Sequence, residues 1–156
     1  MASTKKKRRP GRLTVPGSFA ETVPELLDRY TPPQWARAQQ LLDVIRRHMP
    51  AGLVESTRGN MIRWTVPIAL CPGRRNGLDL PLAALVGRDD YDSLYLCGGA
   101  TPYAAFDDEH QDAYRLTRHC VRVFSTTPSV EDAIKASISG WTAERMVASA
   151  KELGRY

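Results

Sequence analysis

The sequence is poor in cysteine and has no long apolar run, and both absences narrow the class of protein. Its three cysteines are scattered over 156 residues with no C-x-x-C pair, which is typical of reduced thiols in the cytoplasm. No apolar stretch approaches the roughly 18 residues that a membrane-spanning helix needs. The basic first residues are not followed by the apolar segment of a secretory leader. We therefore expect a soluble, cytoplasmic protein without a membrane partner.

Signatures of catalysis are missing as well. The sequence has no G-x-S-x-G, P-loop, G-x-G-x-x-G or H-E-x-x-H motif. His119 directly precedes Cys120 at the start of a predicted strand. Because neighbours on a strand point to opposite faces, these two side chains cannot form a nucleophile–base pair. We expect a protein without enzymatic activity.

What the sequence does have is the composition of one globular domain preceded by a basic arm. Its hydrophobic fraction of 42% and charged fraction of 25% are those of an ordinary folded domain. Residues 1–20 mix cations with Pro and Gly and show no apolar period, so we predict a flexible arm there. We predict a single domain over 21–156, which includes an extra C-terminal helix at 142–153. The arm's cations are Lys5, Lys6, Lys7, Arg8, Arg9 and Arg12.

The charge of the domain is divided into a basic and an acidic stretch. Residues 58–75 contain four arginines and no acid, whereas residues 89–112 contain seven acids and neither Lys nor Arg. This division predicts that the folded domain has an electrostatic dipole.

Hydrophobic spacing predicts a mixed α+β order. Thr31, Pro32 and Gln34 form a helix start, and apolar residues then recur at helical spacing as far as Met49. Short alternating or apolar runs predict strands, and those between 53 and 97 should pair antiparallel because no helix separates them. The predicted helices cover 22–29, 34–48, 103–118, 129–138 and 142–153, with Ser129 and Thr142 as the expected caps of the last two. The predicted strands cover 62–66, 80–86, 93–97 and 120–124.

The same patterns predict turns and a core. Asn76-Gly77 is a strong hairpin signal, and Pro81 predicts an edge position or a bulge in its strand. The predicted core consists of Trp35, Leu41, Leu42, Ile45, Ile62, Trp64, Leu94, Leu96, Val121, Val123 and Ile134.

Several short motifs are similar to those of a known family. They are Thr22–Leu27, the helix at 34–48, Trp64–Pro67, Leu94–Leu96, and Cys120–Phe124 ahead of the helix at 130–138. On these motifs the chain resembles the YdhG-like family (DUF1801). The resemblance implies a frataxin-like fold, in which an α+β two-layer sandwich has helices on one face of an antiparallel sheet. It also implies a carrier role in iron handling, with Fe(II) as cargo and an iron or iron–sulfur assembly partner.

An acidic segment after the predicted strand at 93–97 is the candidate metal site. Clustered carboxylates suit hard cations, and iron also accepts imidazole. On the predicted helix, Asp107 and His110 would be three residues apart on one face. Alternatively, these acids complement the helix dipole, and His110 packs between aromatic neighbours. The candidate ligands are Asp107, Asp108, His110 and Asp112, with Asp90 and Asp92 from the preceding loop.

The basic arm is the candidate nucleic-acid site. Six cations engaged with phosphates would give an affinity that falls steeply with salt. Because the arm has no interleaved aromatic residues, such binding would be non-specific in sequence. Two other interpretations of the arm stay open, namely a solubility tail and a segment that docks on the chain's own acidic stretch. A third functional class is a protein-interaction module that uses the sheet or the helix at 34–48.

Overall fold

The computed structural model describes residues 22–71 and 79–155. Within these ranges the helices are α1 (Val23–Leu27), α2 (Pro32–His48), α3 (Pro128–Ile138) and α4 (Ala143–Glu152). The strands are β1 (Val54–Arg58), β2 (Met61–Val66), β3 (Leu80–Gly87), β4 (Asp92–Leu96), β5 (Tyr114–Leu116) and β6 (Val121–Val123), with a 3-10 turn at Ile68–Leu70. The predicted arm at 1–20 and the predicted Asn76-Gly77 turn lie outside the described residues.

The strands form one six-stranded sheet in the order β1-β2-β3-β4-β6-β5. Each pair of neighbours is antiparallel, so the predicted α+β class with an antiparallel sheet is confirmed. The order departs from the chain order only at β5, which pairs outside β6 and forms an edge of the sheet. No helix in the described part of the chain is long and apolar enough to cross a membrane.

The two faces of the sheet have different surroundings. One face contributes to a single apolar core together with α2, α3 and α4, and we call it the helix face. Its centre is a row of aligned side chains that are at most 1% exposed, formed by Ile62, Leu85, Leu94 and Val121. Ala84 and Val86 point to the other side and lie outside that core. The predicted layering, with helices on one face, is therefore confirmed.

We call the other side of the sheet the open face. Side chains alternate along each strand, so the register assigns its members. They are Val54, Ser56, Arg58, Met61, Arg63, Thr65, Pro81, Ala84, Val86, Ser93, Tyr95, Arg115 and Arg122.

The helix ends follow from local hydrogen bonds. The Thr31 amide donates to Gln34 Oε1 at 2.8 Å, which is the predicted start of α2. The Arg145 amide donates to Thr142 Oγ1 at 3.2 Å and begins α4 as predicted. The predicted cap of α3 at Ser129 is wrong, because Thr127 Oγ1 accepts from the Val130 amide and Pro128 occupies the first turn.

A bulge in β3 accounts for its unusual burial. The register between β2 and β3 shifts between Trp64 and Thr65, which leaves Leu82 as an extra residue. An extra residue turns two consecutive side chains to one side, and Leu82 and Ala83 are both fully buried in the core. The bulge predicted from Pro81 is therefore confirmed, in a strand that lies inside the sheet rather than at its edge.

Two further predictions about the fold are wrong. Residues 103–118 do not form a helix, because the segment turns until Ala113 and then enters β5. Asp107 Oδ1 accepts the Glu109 amide at 3.1 Å, which is a local bond that competes with a helix. Trp35, in the first turn of α2, is 46% exposed and lies outside the core. The other ten predicted core residues are buried.

Candidate functional site

The sheet separates its charged residues by face. The strands contain four cations, Arg58, Arg63, Arg115 and Arg122, and all of them point to the open face. The strands contain two acids, Glu55 and Asp92, and both point to the helix face. The alternation of the strands therefore gives the two sides of one sheet opposite charge.

On the helix face, Glu55 has a complete set of partners. Arg46 Nε of α2 donates to Glu55 Oε2 at 2.9 Å, and the buried Trp64 Nε1 donates to the same oxygen at 3.1 Å. The Arg46 hydrogen bond, which is the largest influence, holds the pKa of Glu55 below its usual value. This acid thus ties α2 to the first two strands.

Asp92 is the second acid of the helix face and is fully buried. Arg37 Nε of α2 donates to Asp92 Oδ2 at 3.2 Å, whereas Asp92 Oδ1 is buried without a hydrogen-bond partner among the described residues. Burial raises the pKa of Asp92 to about 6, although the charge and hydrogen bond of Arg37 oppose this rise. The carboxyl is consequently more basic than an ordinary aspartate.

Arg37 also fixes the turn that leads into β4. Its guanidinium donates to the carbonyls of Arg88 at 2.6 Å and of Tyr91 at 3.3 Å. Gln34, one turn earlier on α2, donates to Asp89 Oδ1 at 2.9 Å. These contacts hold the backbone of Tyr91 from the helix side of the sheet.

The arginines of the open face are mostly without acidic partners. Arg63 makes a two-point contact with Asp79, at 3.2 and 2.7 Å. Over residues 22–71 and 79–155, no Asp or Glu carboxylate lies within salt-bridge distance of Arg58, Arg115 or Arg122. The open face therefore presents positive charge that its own surroundings do not neutralise.

Two of these arginines lie directly opposite each other. Arg115 of β5 pairs with Arg122 of β6 in the antiparallel register, an arrangement in which like charges are destabilising. Each guanidinium instead stacks on a ring: Arg122 lies 5.1 Å from the centroid of Tyr91, and Arg115 lies 5.4 Å from that of Phe124. The two rings meet edge to face at 5.9 Å. We call these four residues the arginine–aromatic cluster.

The predicted metal ligands are only partly brought together. Asp107 and His110 can place ligand atoms within 4.8 Å of each other and of Glu109, which the sequence did not predict as a ligand. The Tyr114 hydroxyl donates to Asp107 Oδ1 at 2.8 Å and is the largest cause of the lowered pKa of Asp107.

The other predicted ligands lie outside this group. Asp108 and Asp112 are exposed but do not join it, and Asp90 is exposed in the turn between β3 and β4. Asp92 is buried in its ion pair with Arg37 on the helix face. The arm residues predicted to bind nucleic acid, 5–12, lie outside the described residues.

The sequence did not predict the arginine–aromatic cluster. Because residues 103–118 were predicted to form a helix, β5 was not predicted. Without β5, the direct opposition of Arg115 and Arg122 cannot be deduced. The available signal was the alternation of Arg122 with Val121 and Val123, which is typical of a strand with a charged outer face.

No protein-family model, curated protein or solved structure matches the chain. A function must therefore be inferred from the geometry of the candidate sites. The YdhG-like resemblance and the frataxin-like fold stay predictions. The chemistry that the open face offers is cation binding to an anionic partner, together with guanidinium and ring surfaces on which planar groups can stack.

Proposed function

We propose that the protein is a nucleic-acid-associated accessory protein that binds phosphate backbones through the open face of its sheet. It acts in the cytoplasm and by binding rather than by catalysis. The basic arm, through Lys5, Lys6, Lys7, Arg8, Arg9 and Arg12, adds non-specific affinity for the same partner.

A single observation carries this proposal, namely the direct opposition of Arg115 and Arg122 on a face that has no strand acid. Two cations directly opposite each other repel and destabilise a strand pair. An anionic partner supplies the missing counter-charge, and arginine is the side chain best suited to contact phosphate in two-point geometry. Residues that break a local rule of stability are expected at functional sites.

The test is an anisotropy titration of the full chain with a labelled nucleic acid over a series of salt concentrations. The parent should bind with an affinity that falls as salt rises. The double variant Arg115→Gln/Arg122→Gln should bind more weakly, and its slope of log affinity against log salt should be smaller by about 2, since each lost phosphate contact removes about 1.

A matched control changes the same number of charges elsewhere. Lys135 of α3 and Arg145 of α4 are exposed and lie on helices, so Lys135→Gln/Arg145→Gln should leave the affinity and the slope close to those of the parent. The proposal is wrong if the parent binds no nucleic acid at low salt. It is also wrong if the open-face variant and the helix variant lose affinity equally.

A second candidate function is supported by the convergence of Asp107, Glu109 and His110 within 4.8 Å. We propose it on that observation and on the YdhG-like resemblance, as a binding site for Fe(II) cargo delivered to an iron or iron–sulfur assembly partner. Carboxylate and imidazole ligands suit ferrous iron.

An anaerobic Fe(II) titration followed by amide NMR separates the alternatives. Selective broadening at 107–110 that disappears in Glu109→Gln/His110→Gln would support the iron role, because this variant retains the contact between Tyr114 and Asp107. The variant Asp108→Asn/Asp112→Asn removes two neighbouring acids and should retain the broadening. An unchanged spectrum of the parent would contradict an iron site.

A further inference from the structure

The arginine–aromatic cluster offers more than positive charge. Tyr91 and Phe124 are half-buried, whereas Arg115 and Arg122 are exposed above them. Each ring contacts one guanidinium, which restricts a side chain that is otherwise flexible. The outer surface of the cluster is therefore formed by two exposed guanidinium groups, which are flat and cationic.

Flat cationic groups suit one part of a nucleic acid in particular. Unpaired bases stack on aromatic rings and on guanidinium planes, while their phosphates contact the same positive charge. In a duplex the bases are already stacked on one another, and only phosphates and groove edges remain accessible. A duplex groove admits a helix or a two-stranded ribbon, whereas the cluster lies on the surface of a six-stranded sheet.

The surroundings of the cluster fit an extended strand. The centre of the open face is formed by small buried residues, Ala84, Val86 and Ser93, with the half-buried Tyr95 beside them. Arg58 stands at the far edge, on β1. A chain crossing from β5 to β1 would cover about 24 Å, from the usual spacing between strands, with a cation at each end. Because Ala84, Val86 and Ser93 are buried, larger side chains beside its path, such as the half-buried Tyr95, would make the contacts between the two ends.

We propose that the arginine–aromatic cluster is a stacking platform for unpaired bases, so that the protein binds single-stranded nucleic acid in preference to duplex. This inference rests on the proposed function, since it names the form of nucleic acid that the open face receives. Stacking is tolerant of base identity, so the preference is for single strands and not for one sequence.

The substitution that tests stacking is arginine to lysine. Lysine retains the positive charge but has no planar group that can stack on a base. The variant Arg115→Lys/Arg122→Lys and the parent are titrated with a single strand of about 16 nucleotides, as DNA and as RNA, and with the duplex of the same sequence. Because both arginines are exposed, the variant should fold as the parent does, which its thermal unfolding checks.

The expected result is a preference of the parent for the single strand. The lysine variant should lose at least about tenfold in single-strand affinity. Its duplex affinity should fall by less than about twofold, because its charge is unchanged. Arg145 provides a matched control, since it stacks at 4.1 Å on Trp141 of another part of the molecule. Arg145→Lys should leave both affinities as in the parent.

Each other result has a definite meaning. If the parent binds neither form, the proposed function itself fails. If the parent does not prefer the single strand, or if the lysine variant retains the parent's single-strand affinity, phosphate binding stands and the stacking platform is overturned. If heparin, a polyanion without bases, competes as well as the single strand does, the stacking platform is overturned in the same way.

Discussion

The two faces of the sheet use arginine in opposite ways. On the helix face, Arg37 and Arg46 each contact an acid of the sheet and connect α2 to it. On the open face, Arg115 and Arg122 lie opposite each other and contact rings instead of acids. The first arrangement neutralises charge and holds layers together, whereas the second leaves charge available to a partner. The same residue type is thus structural on one side and a binding group on the other.

The two faces meet at the turn before β4. Arg37 binds the Tyr91 carbonyl from the helix side, and the Tyr91 ring supports Arg122 on the open side. Structural and binding roles are therefore separated by side-chain direction, although they share one stretch of backbone.

The largest expected effect is on the helix face. Arg37→Ala leaves the buried Asp92 carboxylate without its cation and should lower the free energy of unfolding at pH 7 by about 3–5 kcal/mol, measured by urea denaturation. Adding Asp92→Asn to this variant removes the unpaired charge and should recover part of the loss. Removing one partner of a buried ion pair usually costs more than about 1 kcal/mol. A smaller loss would therefore show that Arg37 does not stabilise the fold, and the contrast between a structural helix face and a binding open face would be lost.

The next-largest expected effect is the pH dependence of stability that the Asp92 carboxyl causes. The pKa of Asp92 is raised to about 6 in the folded state, so the folded state binds this proton more tightly than the unfolded state does. The charged Asp92 carboxylate therefore makes an unfavourable contribution to the free energy of folding. This contribution is complete above pH 6 and is lost as the pH falls toward the ordinary pKa of aspartate. A pKa difference of one between the folded and unfolded states corresponds to about 1.4 kcal/mol, so the contribution is of the order of 3 kcal/mol.

The measurement is the difference in unfolding free energy between the parent and Asp92→Asn at pH 7 and at pH 4.5. The asparagine variant lacks the titration and provides the baseline for the other ionisable groups. The parent should gain stability relative to the variant as the pH falls. A difference that is constant with pH, or one that changes in the opposite direction, would contradict the raised pKa.

The smallest effect on stability is expected on the open face. A substitution there should change nucleic-acid binding while it leaves the stability of the fold nearly unchanged. Arg122→Glu places an acid opposite Arg115 but removes the contact of Arg122 with the Tyr91 ring, so stability should change by less than about 1 kcal/mol, while nucleic-acid affinity falls because a cation becomes an anion. Arg58→Glu, opposite Met61, is the matched control that creates no cross-strand pair. Urea denaturation and anisotropy are measured on both variants, and a stability loss above about 1 kcal/mol in Arg122→Glu would show that this pair serves the fold.

Much of the fold could be predicted from local patterns. The start of α2 follows from Thr31 and Gln34, and the β3 bulge follows from Pro81, because these signals act through hydrogen bonds and sterics within a few residues. The segment at 103–118 was predicted wrongly because the contact of Tyr114 with Asp107 and the pairing of β5 with β6 decide it. Both contacts join residues more than one helical turn apart in the sequence, and they outweigh the helical spacing of its apolar residues.

The candidate site was less predictable than the fold. The acidic segment is easily recognised in the sequence as a candidate metal site. Of the predicted ligands, however, only Asp107 and His110 bring their ligand atoms close together. The arginine–aromatic cluster combines residues from β5, β6 and the turn before β4, and no short motif encodes their meeting. Because register decides which side chains oppose each other across strands, the cluster becomes visible only when the pairing of β5 and β6 is known.

Nucleic-acid binding by the open face is the proposal on which the other roles of the molecule depend. Its most direct test is a titration of the isotope-labelled full chain with a single-stranded oligonucleotide, followed by amide and arginine side-chain NMR. We predict shifts at Arg115, Arg122 and Tyr95 and an unchanged helix face around Arg46 and Glu55. Shifts confined to residues 5–12 or to 107–110 would contradict the claim.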